Sequence, residues 1–151
     1  MRTSIALLAT LLISTTALAQ EPSRQLIVGD QDAAAAPADG RSRLSVEVTG
    51  NPSVGLRSYL EGVLAQVKQN WSESWPEAVG SGQVVIEFQV TRNGHTPKVK
   101  IVSSSVELAL QKAAVAAIVK AIPLSPLPSE FEGDHLLLRV DFAYGSTRIE
   151  R

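Results

Sequence analysis

Two histidines, His95 and His135, three consecutive serines, Ser103 to Ser105, and two tryptophans, Trp71 and Trp75, are the residues of this 151-residue chain whose types invite a chemical reading. Histidines serve as metal ligands or general bases, but a helical metal pair needs imidazoles one turn apart, and no HxxxH or HExxH spacing occurs. A nucleophilic serine needs a GxSxG elbow and a flanking base, and both are missing from the sequence around Ser103 to Ser105, where helix capping is the simpler role. The carboxylates are scattered and suggest no acid/base couple. Gly80 and Gly82 lack the lysine and the following helix of a phosphate loop, so they read as the lead into a strand. Catalytic, cofactor-binding and metal residues are therefore predicted to be none, and the chain reads as a non-enzyme. Trp71 and Trp75, in "NWSESWPEAVGSG", would suit a sugar or peptide platform, although aromatic packing over a core explains them more simply.

The rest of the composition narrows the partners. At 44% hydrophobic residues the chain can build one ordinary core, and it is too short for two. The 14 Lys and Arg against 15 Asp and Glu are interspersed, so nucleic acid and acidic membrane surfaces are not expected partners. With no cysteine, stability must come from packing. The opening "MRTSIALLATLLISTTALAQEP" has a basic residue, Arg2, an apolar stretch from Ile5 to Leu18, and Ala17-Leu18-Ala19 ahead of Gln20. That is the pattern of a cleaved signal peptide over 1–19, which predicts an exported mature protein; an uncleaved membrane anchor is the alternative.

Residues 20–50 are small, polar and broken by Pro37 and Gly40, which predicts a mobile leader. Within it, Leu44, Val46 and Val48 alternate with Ser45, Glu47 and Thr49, so 43–49 is a candidate edge strand. The domain proper spans 51–145, followed by a polar tail at 146–151. Asn51-Pro52-Ser53 signals a helix start, and Leu56, Tyr59, Leu60, Val63, Leu64, Val67 and Trp71 form its apolar stripe. Val84, Ile86, Phe88 and Val90 alternate into Asn93-Gly94, a tight-hairpin signal, and Val99 and Ile101 return. Ser104 with Glu107 reads as a capping box for a second helix, whose inward stripe is Leu110, Ala113, Ala114, Ala117, Ile118 and Ala121. Pro123 ends that helix. Pro126 and Pro128 belong to a strap that tucks Leu124 and Leu127 against it and delivers a last alternating strand, Leu136 to Tyr144. The order α-β-β-α-β predicts an α+β two-layer sandwich: two helices on a small three-stranded antiparallel sheet, with a sixth element, an extra N-terminal edge strand, as an option.

In this order and spacing the elements resemble the C-terminal domain of the TonB/TolA family. The resemblance runs from about 56 to 144, through "VKQNW", Trp75-Pro76, "VVIEFQVTRNG" and the proline-containing connection to "LLLRVDFAY". Ser104, Ser105, Leu110, Ala113 and Ala114 match the family's helix-start pattern, whereas Val106, Leu108 and Gln111 depart from it. The resemblance implies a non-catalytic periplasmic interaction domain whose partner is an envelope protein or an outer-membrane receptor peptide, with no cofactor. It also implies that such a peptide adds itself to the last strand, at His135, Leu137, Arg139, Asp141, Ala143 and Tyr144, with Trp71 and Trp75 as aromatic contacts. The family's long spacer has no counterpart in the short leader, so transport coupling by this chain alone is not expected. The alternative is that 43–49 already occupies the edge of the last strand, giving a self-capped or homodimer-forming module.

Overall fold

The computed structural model describes residues 25–30, 41–49, 53–75 and 80–145. The expected signal peptide, the tail and Pro76 lie outside them. Seven elements follow one another: β1 (Gln25–Gly29), β2 (Arg43–Thr49), α1 (Val54–Glu73), β3 (Gly82–Thr91), β4 (Val99–Ser104), α2 (Leu108–Ala121) and β5 (His135–Tyr144). All five strands form one antiparallel sheet in the order β1-β2-β5-β3-β4. The class is the expected α+β sandwich, with two strands more than the minimal three.

Period-two alternation places one face of each inner strand against the helices. Cross-strand register stacks these residues in rows: Val46 opposite Val140 opposite Ile86, Val48 opposite Leu138 opposite Phe88, and Leu44 opposite Phe142 opposite Val84. All nine are buried. On α1, Leu56, Leu60, Val63, Val67 and Trp71 recur at three- and four-residue steps and close over this floor. The buried residues of α2 are Leu110, Ala113, Ala114, Ala117, Ile118 and Ala121, the stripe read from sequence. Its small side chains bring the helices close enough for Asn70 and Gln66 of α1 to donate to the Ala117 and Ala121 carbonyls, at 3.2 and 3.4 Å.

The proline strap is held in place by hydrogen bonds to the β3–β4 connection and to α1. Leu124 and Leu127 are buried, and their N–H groups donate to the Gly94 and Arg92 carbonyls, both at 3.0 Å. Tyr59 donates its hydroxyl to Ser125 O at 2.9 Å, and Arg92 donates to the carbonyls of Phe131 and Gly133.

Three local expectations are corrected. The leader is not wholly mobile: β1 and β2 pair antiparallel from Gln25 opposite Thr49 to Gly29 opposite Ser45. Asn93-Gly94 is not a two-residue hairpin turn. That turn needs positive φ at both residues, but only Gly94 has it, at +82°, and residues 92–98 separate the strands. Gly94 instead answers to the strap, since a Cβ there would lie 1.9 Å from Leu124 O. The capping box does not form either. β4 runs on to Ser104, helped by a bulge opposite Val85 and Ile86, and Glu107 becomes the N-cap with no side-chain cap bond.

Candidate functional site

A sheet-edge site needs a strand whose N–H and C=O groups are paired on one side only. In an antiparallel ladder, alternate residues aim these groups at opposite neighbours. Gln89 N donates to Lys98 O and Ser105 N to Gln83 O, so the odd-numbered residues of β3 face β4 and its even-numbered residues face β5. It follows from the β3–β5 register that Leu136, Leu138, Val140 and Phe142 face β3, while Arg139, Asp141 and Ala143 face the other way. Opposite these three stand Glu47, Ser45 and Arg43 of β2.

The expectation that the last strand is an edge is thereby corrected. β5 lies between β2 and β3, and the backbone groups on which a peptide was expected are those that β2 covers. His135, Leu137, Arg139, Asp141, Ala143 and Tyr144 share a strand but not a surface: Tyr144 is buried toward the helices, whereas Leu137 and Arg139 are exposed on the sheet's other face. On that face Glu47, Arg139, Glu87 and Lys100 make a cross-strand charge row, with Arg139 3.4 Å from Glu87. One row further, Asp141 accepts from Gln83 at 3.2 Å. Burial and then the nearby Glu47 raise its carboxyl above the ordinary value, against the lowering pull of Arg139 and Gln83.

The tryptophans are core residues. Trp71 is 0% exposed and donates Nε1–H to Tyr144 Oη at 2.8 Å, and that hydroxyl donates to Leu110 O at 2.7 Å. Phe142 and Tyr144 meet the Trp71 ring edge-on at 5.2 and 5.0 Å, and half-buried Trp75 leans on both Trp71 and Tyr144. Trp71 cannot reach a partner without unfolding this cluster. Burial raises the Tyr144 hydroxyl above its usual range.

The serines also have structural work. Ser105 accepts from Gln83 N at 2.9 Å and Ser104 from Val106 N at 3.4 Å. Among the described residues no group of three His, Asp or Glu side chains could hold a metal. None of the helices described is long and apolar enough to cross a membrane.

Among the described residues two strands are paired on one side only, β4 and β1. Asp30 N donates to Leu44 O, which fixes the phase of the β1–β2 ladder: Leu26 and Val28 face β2, and Gln25, Ile27 and Gly29 face outward. Beside β1 runs a groove of about 400 Å³, with residues 27–29 on one wall and Arg57, Glu61, Leu64, Ala65 and Lys68 of α1 on the other. The sequence reading missed this feature. Its signal was the apolar triplet Leu26-Ile27-Val28 ahead of Gly29, inside a segment otherwise rich in turn formers.

No curated protein matches the chain. A solution structure of the TonB C-terminal domain of Helicobacter pylori is similar at 21% identity, covering 68% of this chain and 99% of that one, with a TM-score of 0.44. The model of the family described as TonB C terminal matches residues 56–142, from α1 into β5, leaving β1 and β2 outside the match. With more than half its length matched, the chain belongs to the TonB C-terminal family.

Proposed function

We infer that this protein is a non-catalytic module of the bacterial cell envelope that recognises extended segments of other envelope proteins by main-chain pairing at an open sheet edge. Membership of the TonB C-terminal family supports the envelope setting and a protein partner. The observation that carries the pairing mode is the five-stranded sheet, whose outer strands β1 and β4 each pair on one side only among the described residues.

Energetics favour these outer edges over β5. Clearing β5 for a peptide means removing β2 and exposing Leu44, Val46 and Val48, at about 1.5–3 kcal/mol each. Before its own contacts are counted, an incoming strand would forfeit roughly three to six orders of magnitude in affinity. Pairing at an outer strand displaces nothing described. The sealed β5 edge also favours a second reading, a self-capped structural module without a peptide partner.

A photoreactive residue placed at Ile27 or Ile101, on the outer strands, or at Lys112, exposed on α2, separates these readings when the protein is irradiated in intact envelopes. Edge binding predicts adducts from Ile27 or Ile101 that map to extended segments of envelope proteins. Adducts from Lys112 alone would refute it, and no adduct at any site would favour the self-capped module.

A further inference from the structure

Resting on that edge reading, we propose that β1 and the flank of α1 form a docking groove for an extended, acidic segment of a partner protein. The two outer strands are not equivalent. β4 carries a bulge at Val102 and contains Lys100, with Lys98 just before its start, features that discourage strand addition. β1, Gln25–Gly29, has no charge, no proline and an unbroken register with β2. Its outward-facing residues are Gln25, Ile27 and Gly29, and the last two line the groove beside α1.

A strand added there turns every second side chain toward α1. It meets Arg57 and Lys68 at the two ends, Glu61 between them, and the apolar patch of Leu64 and Ala65. Arg57, Glu61 and Lys68 are exposed and have no ion-pair partner among the described residues, so two cations against one anion leave the wall net positive. The eleven residue steps from Arg57 to Lys68 span roughly 16 Å of helix. An extended chain covers that in about four to six residues, and only even spacings keep both end side chains on the helix side. The occupant therefore has two carboxylates four or six residues apart with an apolar residue between them.

The test uses the mature protein labelled with ¹⁵N and two blocked nonapeptides, one with the core Asp-Thr-Val-Thr-Asp and one with Lys-Thr-Val-Thr-Lys. The acidic peptide should shift the amides of residues 25–29 and 57–68 and bind about tenfold tighter than the basic one. Arg57→Glu combined with Lys68→Glu, both on an exposed helix flank, should invert that preference. Ile27→Pro removes an outward donor that β2 does not use, and should abolish binding of both peptides while amide dispersion is retained. Shifts confined to 99–104, or equal affinity for the two peptides, would overturn the β1 groove while leaving edge pairing standing. No shift in any strand would overturn both. Shifts at 25–29 that grow with protein concentration alone would identify a second copy as the occupant and overturn the proposal.

Discussion

Deleting residues 20–49 removes β1 and β2 together and tests whether the N-terminal hairpin is part of the domain or an appendage to the 56–142 family core. The hairpin buries Val28, Leu44, Val46 and Val48. At about 1.5–3 kcal/mol for each fully buried aliphatic side chain, their loss costs roughly 6–12 kcal/mol. That compares with a total stability of about 5–15 kcal/mol for a typical domain. Deletion also uncovers the backbone groups of Arg139, Asp141 and Ala143 that face β2. The truncated chain should therefore unfold at much lower urea, followed by fluorescence of the buried Trp71, and should self-associate in sedimentation as the freed β5 edge finds another strand. A truncated chain that stays monomeric with the parent's urea midpoint and slope would refute the reasoning.

Three further substitutions probe particular contacts. Gly94→Ala puts a Cβ against Leu124 O at a residue with φ +82°, so it should cost about 2–4 kcal/mol in urea unfolding through the αL penalty and a displaced strap. Tyr144→Phe leaves the buried Trp71 Nε1–H without its acceptor and should cost about 1–3 kcal/mol, with an altered Trp indole proton resonance. Asp141→Asn probes pH dependence. The folded carboxyl holds its proton to higher pH than the unfolded one, so the stability this gives is complete below the ordinary value of 3.8 and is lost as pH rises through the raised folded value. Thermal melts across about pH 3–7 should show wild type losing ground to the variant as pH rises through that window, and a wild type that gains on it would contradict the assignment.

What was legible in the sequence was what period alone decides. The α1 stripe ending at Trp71, the alanine-rich inner face of α2 and the alternation of β3 and β5 all express which face is buried, and burial is written residue by residue. Strand order is not written that way. Whether Arg139, Asp141 and Ala143 face water or β2 depends on pairing with residues almost a hundred positions away, which no local pattern reports. β1 escaped because five residues make a strand only when a neighbour supplies half the hydrogen bonds, and turn-forming sequence follows it. Asn93-Gly94 misled because Gly94 serves the approach of Leu124 rather than a two-residue turn. The candidate site shared the fate of strand order: the aromatic contacts resolved into core, and the open edge lay in the segment read as leader.

Amide hydrogen exchange of β5 addresses the central claim most directly. If β2 seals that strand, the amides of Arg139, Asp141 and Ala143, which face β2, should be protected as strongly as those of Leu138, Val140 and Phe142, which face β3. The outward amides of Ile27 and Gly29 should exchange far faster. If Arg139, Asp141 and Ala143 exchanged as fast as the open edge of β1, β5 would be a free edge and the five-stranded account would be contradicted.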